Sequence, residues 1–331
     1  MPNLRGDLLD IQNLKVIFHT YRGTIKALNG VELWLNRGER LGLVGESGCG
    51  KSVTALALMQ LIEQPGEITD GNVYFDGRDL LGLNENELDR IRGKEIAMIF
   101  QEPVAALNPI MRAGRQIAEN IGRSFPHLSA KEIRAEVERM LGLVGLDAKR
   151  TGELYPHELS GGMAQRIMIA MALSSNPKLL IADEPSSALD VTIQAQILNL
   201  LNELVRTFNY SALLITHDMG VAAEFCDRIA VMYAGNTAEY ALTPELFANP
   251  LHPYSRGLFK AIPKIGQAEE LATIPGEVPD LVNPPSGCRF HPRCPQVMDA
   301  CKQKTPPLLP VAIDHYVACY LYTGTGNDGS R

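Results

Sequence analysis

The sequence predicts an α/β fold: a mixed sheet with an antiparallel β portion, an inserted helical segment and a C-terminal appendage. Three observations predict it. An apolar run, residues 41–44, feeds a Gly-rich loop that opens a helix. Two further continuous apolar runs, 178–182 and 212–216, alternate with helical stretches, the mark of a parallel sheet. Between them, from about 110 to 175, helical periodicity runs without a strand signal.

The chain of 331 residues suits two domains, or one large domain with an appendage. The reading divides it into 1–101 and 178–240 as the two parts of the core, 102–177 as the helical insert, and 241–331 as a C-terminal region. Apolar content of 45% is ample for a core. Net charge is −7, from 31 basic and 38 acidic residues, which argues against a nucleic-acid surface. No apolar run approaches the roughly 18 residues of a spanning helix. The first residues, MPNLRGDLLDIQNL, lack the apolar centre of a signal peptide. A cytosolic chain that reaches a membrane only through partners is the expectation.

Taken in order, 8–18 and 25–35 read as alternating strands flanking a turn at 19–24. The run 53–62 reads as the helix after the Gly-rich loop. Pro65-Gly66 and Asp70-Gly71 read as turns, and 71–77 as a hairpin strand. Residues 96–100 form a strand ending at Gln101. Ser129-Ala130-Lys131-Glu132 is a capping box, followed by Ile133, Val137, Met140, Leu141 and Val144 at helical spacing. Ser160 is an N-cap for a helix that ends at Asn176-Pro177. A helix runs to about Phe208 after Asp190. Beyond 240 Pro becomes frequent and periodicity weakens, so an extended region lying against the core is expected. Residues 323–331 read as a disordered tail.

The chemistry begins at Gly45-Glu46-Ser47-Gly48-Cys49-Gly50-Lys51-Ser52, which fits G-x-x-x-x-G-K-[ST]. Glycines let the backbone N–H groups turn inward on phosphate oxygens, and the helix N-terminus adds its positive dipole end. Lys51 reaches the β- and γ-phosphates, and the Ser52 hydroxyl ligates Mg²⁺. Asp183 and Glu184 follow a buried strand, at the strand end where ligands bind in open α/β sheets. Asp183 suits an outer-sphere Mg²⁺ role beside Ser52. Glu184 suits polarising the attacking water. Gln101 ends another strand, where its amide touches Mg²⁺ or the water. His217 ends the next strand and suits sensing the γ-phosphate.

These elements, in this order and with Leu159-Ser160-Gly161-Gly162-Met163-Ala164-Gln165 and Ser187-Ala188-Leu189-Asp190, resemble the ATPase subunits of ABC transporters, a P-loop NTPase fold. The resemblance implies that Ser160, Gly161, Gly162 and Gln165 serve ATP bound to a second ATPase domain. ATP is then sandwiched between two chains. It implies Glu184 as catalytic base, Gln101 as sensor coupled to the membrane subunits, His217 as switch and Asp190 as the residue ordering the dimer seam. Val53 replaces the usual hydroxyl after Lys-Ser, with Thr54 next. The resemblance also implies adenine stacked on an aromatic upstream of the loop, Phe18 by its spacing, with Tyr21 the alternative.

Nearly the whole chain is similar to the dipeptide/oligopeptide importer group. Residues 45–54, Phe100-Gln101-Glu102-Pro103, Leu107-Asn108-Pro109 and 168–173 carry this, together with Asn249-Pro250-Leu251-His252-Pro253-Tyr254-Ser255, 274–279 and 287–295. That implies two transmembrane permease subunits, a second and related ATPase chain, an extracytoplasmic peptide-binding protein and a place at the cytoplasmic face of the membrane. Nickel or glycoside cargo is the alternative within the class. A soluble ABC ATPase acting on DNA or ribosomes is disfavoured by the single cassette, the acidic balance and the lack of heptads.

Of six cysteines, Cys288, Cys294, Cys301 and Cys319 crowd the last fifth. In a reducing compartment such clustering favours metal over disulfides, and four thiolates suit a [4Fe–4S] cluster or zinc. The resemblance favours [4Fe–4S].

Overall fold

The computed structural model describes residues 5–187, 189–261 and 273–323. All but the first residue of the tail expected at 323–331, the first residues and Ala188 lie outside them. The chain divides into two compact units, Met1–Gly82 with Ile215–Arg331, and Leu83–Leu214.

In chain order the first unit begins with β1 (Leu9–Thr20), β2 (Gly23–Leu35), β3 (Arg40–Val44), α1 (Lys51–Leu58), β4 (Gly66–Phe75) and β5 (Arg78–Asp79). Among the described residues one sheet runs β2-β1-β4-β5, antiparallel throughout. It is the antiparallel portion expected from the alternation. The turn expected at 19–24 is tighter, because Thr20 pairs with Gly23 and leaves Tyr21-Arg22 at the tip. Asp70-Gly71 is not a turn. Gly71 lies inside β4, at φ +101, where the register slips opposite Asn13. A Cβ there would stand 2.6 Å from the Asn13 carbonyl, so glycine serves a bulge and not a reversal.

The second unit holds α2 (Glu85–Leu88), β6 (Ile96–Ile99), α3 (Pro103–Ala106), α4 (Ala113–Ser124), α5 (Ala130–Leu143), α6 (Ala148–Thr151), α7 (Gly161–Leu173), β7 (Leu179–Asp183) and α8 (Val191–Phe208). Strand β8 (Ser211–Thr216) ends just past it. Ser129 and Glu132 form the expected capping box on α5. Helix α4 packs on α5, and both pack on α7. Their apolar faces meet through Ile117, Ile121, Leu141 and Ile167, all fully buried. Strands β6 and β7 are parallel, Ile96 opposite Leu179 through Ile99 opposite Ala182. Gln101 and Asp183 therefore leave the same edge of this pair.

The chain returns to the first unit with α9 (Met219–Phe225), β9 (Arg228–Tyr233), β10 (Asn236–Leu242), α10 (Thr243–Ala248), α11 (Pro253–Lys260), α12 (Asp299–Gln303), β11 (Leu309–Ala312) and β12 (His315–Val317). Within the unit the second sheet runs β11-β12-β10-β9-β3. Strands β3 and β9 are parallel and buried on both faces, which is why they read as unbroken apolar runs. The C-terminal region is more ordered than its composition suggests. Two of its short segments extend this sheet, and Pro310 is tolerated because β11 is an edge strand. Trp34 of β2 joins the two sheets, with Tyr240 at 4.1 Å and Tyr316 edge-on at 4.7 Å. Glu239, fully buried on β10, is satisfied by His315 Nε2 at 2.7 Å and by the N–H groups of Leu251 at 2.7 Å and His252 at 2.9 Å. That carboxylate ties β12 and the start of α11 to the sheet.

Candidate nucleotide site

In the first unit the Gly-rich loop leaves β3 and enters α1. Gly45 sits at φ +153, and a Cβ there would stand 2.2 Å from the Met232 carbonyl oxygen. No other residue fits that approach. Lys51 is buried, and its Nζ donates to the carbonyls of Gly45 at 2.9 Å and Glu46 at 3.2 Å. The ammonium thus folds back onto the carbonyls of its own loop. Ser47 and Gly48 are exposed, and Ser52, Val53 and Gly50 are half-buried. Cys49 is buried; burial pushes its thiol pKa up, with Lys51 pulling the other way. Thr54 is fully buried and its hydroxyl donates to the Gly50 carbonyl at 2.9 Å, so in this structure its side chain bonds the helix. Helix α1 stops at Leu58, short of the expected Ile62.

The loop has a support that the sequence did not reveal. The Glu46 carboxylate accepts from Arg293, Nη1 at 2.8 Å and Nη2 at 3.2 Å. The Glu46 backbone N–H donates to the Tyr254 hydroxyl at 2.9 Å. Both partners come from the C-terminal region. They sit in stretches 249–255 and 287–295, singled out as a resemblance but given no role.

The two candidate aromatics differ. Tyr21 is 98% exposed at the β1–β2 tip. Phe18 is half-buried with its ring against Gly66, where a Cβ would meet Phe18 Cε1 at 2.5 Å. His217 is exposed just beyond β8, followed by Asp218, which caps α9 through the N–H groups of Gly220 and Val221.

In the second unit Asp183 is the buried last residue of β7. Glu184 follows at φ +44, a left-handed conformation that costs a side-chain-bearing residue about 1 to 3 kcal/mol. Gln101 Nε2 donates to Glu184 Oε2 at 3.4 Å, so the expected sensor and the expected base are neighbours. Ser160 caps α7, its Oγ accepting from the Met163 N–H at 3.3 Å, and Gly161 is exposed. That is an open helix N-terminus able to meet an anion. Gln165 is buried at 1% exposure, with Nε2 unbonded among the described residues. Asp190 is the N-cap of α8, accepting from Ile193 N–H at 3.0 Å. Leu189 and Ile193 pack within 3.2 Å of where Cβ atoms on Gly161 and Gly162 would lie. Asp190 thereby fixes the segment that abuts the Ser160 turn.

The four clustered cysteines lie close enough to influence one another. Burial, with a smaller contribution from neighbouring thiols of the set, pushes Cys288 and Cys319 up to about 11. Burial raises Cys294 as well, with Cys301 adding to it. Among the described residues no group of three or more His, Cys, Asp or Glu side chains is arranged to hold a metal ion. The expected [4Fe–4S] cluster, and zinc as its alternative, is not met by this arrangement.

Residues 28–187 match the ABC transporter family, and 238–301 match the oligopeptide/dipeptide transporter C-terminal region. The chain is 48% identical over 326 residues to the oligopeptide transport ATP-binding protein AppD of Bacillus subtilis (strain 168), covering 98% of this chain and 99% of that one. The chain belongs to the ABC transporter ATPases. This ABC ATPase is also 49% identical over 321 residues to the oligopeptide transport ATP-binding protein OppD of Salmonella typhimurium, covering 96% and 95%. With the dipeptide transport ATP-binding protein DppD of Bacillus subtilis it shares 47% over 317 residues, covering 95% and 94%. Its fold is similar to the dimeric structure of MJ0796, a bacterial ABC transporter cassette, with TM-score 0.65 and 29% identity over 71% of this chain and 99% of that one. The ABC ATPase fold and ATP hydrolysis follow from membership. No helix among the described residues is long and apolar enough to cross a membrane.

Proposed function

We propose that this ABC ATPase is the motor subunit of an importer for dipeptides and oligopeptides. The observation that carries the reading is the match of 238–301 to the oligopeptide/dipeptide transporter C-terminal region, joined to a cassette in one chain. Gly45, Ser47, Gly48, Cys49, Gly50 and Lys51 receive the phosphates through backbone N–H groups and the ammonium. Ser52 in the first unit would ligate Mg²⁺, which would supply charge neutralisation at the phosphates; Gln101 and Asp183 in the second unit are the further candidates to hold it. Glu184 accepts the proton of the attacking water, Gln101 orients Glu184, and His217 responds to the γ-phosphate. Tyr21 is favoured over Phe18 for adenine, since its ring is free. Ser160, Gly161 and Gly162 serve the nucleotide of a second, related ATPase chain.

ATP closes the two ATPase chains, and hydrolysis reopens them. Two transmembrane permease subunits receive the motion through the helical unit around Gln101, and an extracytoplasmic peptide-binding protein delivers cargo. The chain then lies peripherally on the cytoplasmic face of the membrane. A metal centre at Cys288, Cys294, Cys301 and Cys319 is supported by the four-thiol donor set. Iron and sulfide found together after anaerobic purification would carry it; a folded, metal-free protein would remove it.

The roles are tested with Glu184→Gln in the full chain together with its ATPase partner. ATP binding persists, turnover falls by at least a hundredfold, and a two-chain complex accumulates with ATP. Turnover at the wild-type rate would remove Glu184 as base.

A further inference from the structure

Within the first unit the C-terminal region and β1–β2 enclose a cavity of about 340 Å³, a volume in the range of small-molecule sites. Arg289 lines it and is 4% exposed. Its Nη1 donates to the carbonyls of Lys26 and Ala234. Its Nε and Nη2 have no partner, and it makes no ion pair, among the described residues. A buried cation is ordinarily paired, so an unpaired guanidinium lining open volume suits an anion. His252 lines the same cavity. Its Nδ1 accepts the Tyr254 N–H at 3.0 Å, which leaves the proton on Nε2, a second donor without a partner. None of these nitrogens is among the fully enclosed, unbonded polar atoms of the described residues.

The opposite polarity is present too. Glu32 lines the cavity with one oxygen taken by Arg5 at 2.7 Å and Oε1 left as an acceptor. Lys15, the other charged group on the wall, is already paired with Asp70 at 2.8 Å. Pro306, Pro307 and Leu308 supply an apolar wall.

We propose that this cavity binds an amino acid or short peptide as a zwitterion, its carboxylate on Arg289 and His252 and its ammonium on Glu32. A planar carboxylate matches the fork of a guanidinium with two free N–H groups on one side. The site is separate from the phosphate loop, and the inference does not rest on the transport reading, since it concerns binding to this chain alone.

Equilibrium dialysis of the full chain without nucleotide, using radiolabelled Ala-Ala as probe, tests it. Saturable binding of one dipeptide per chain is expected. The C-terminally amidated dipeptide binds at least tenfold more weakly. Thr305→Phe, at an exposed wall position, abolishes binding while leaving the contacts of Arg289 to Lys26 and Ala234. Arg289→Met abolishes it as well, with circular dichroism and melting used to verify the fold. No saturable binding, or binding retained in Thr305→Phe, overturns the proposal. So does competition by inorganic phosphate at concentrations equal to Ala-Ala, which would mark a simple anion site.

Discussion

Arg293→Met is the perturbation that reads the link between the C-terminal region and the phosphate loop. The Arg293 side chain is 6% exposed and the Glu46 side chain 26%, and the two share a pair of hydrogen bonds at 2.8 and 3.2 Å. Removing one partner of a fully buried ion pair costs about 3 to 5 kcal/mol. Glu46 is partly open to water and recovers some hydration when Arg293 is lost, so about 2 kcal/mol is the reasonable figure. Expressed wholly in the loop's binding-competent conformation, that is about a thirtyfold loss of ATP affinity. The carboxylate left behind would also repel phosphates. Glu46→Gln alone should cost less, and the double variant should recover affinity relative to Arg293→Met, with a coupling energy of about 1 to 2 kcal/mol. Titration with a fluorescent ATP analogue on the four proteins measures this. ATP affinity in Arg293→Met within twofold of wild type, with no coupling in the cycle, would refute the reasoning.

Other outcomes follow from the same contacts. Gly45→Ala should abolish ATP binding in the same titration, since its Cβ would stand 2.2 Å from the Met232 carbonyl. Trp34→Ala removes the ring between the two sheets and should destabilise by about 3 to 5 kcal/mol in urea unfolding. Burial lowers the His252 pKa to about 4, so from about pH 6.5 down to 4 the unfolded chain binds a proton that the folded chain does not. Its contribution, about 3 kcal/mol, is full above 6.5 and lost as pH falls toward 4. His252→Asn, which keeps a side-chain acceptor for the Tyr254 N–H, should flatten that part of the stability–pH curve.

The parts legible in sequence are those where local chemistry has one solution. The loop 45–52, the Ser129 capping box and the Ser160 N-cap each need particular residues at fixed spacing, and each appears as expected. Buried parallel strands read directly from their apolar runs. What stayed hidden depends on contacts between distant segments. Gly71 carries the same signal in a turn and in a bulge, and only the pairing with β1 separates them. Thr54 and Gln165 sit beside motif residues, but helix phase turns them inward. The Arg293–Glu46 pair joins positions 247 residues apart, and nothing local in either stretch announces the other. Strands β11 and β12 are too short and Pro-rich to show periodicity, and exist because β10 offers an edge.

Peptide-dependent ATP hydrolysis is the measurement closest to the central claim. The chain is assembled in proteoliposomes with its permease subunits and ATPase partner, and supplied with the peptide-binding protein. Hydrolysis should rise several-fold when that protein carries a di- or oligopeptide, and should vanish when Glu184→Gln replaces the wild-type chain. Stimulation by nickel or a glycoside and not by peptides, or by nucleic acid without the permease, would contradict the account.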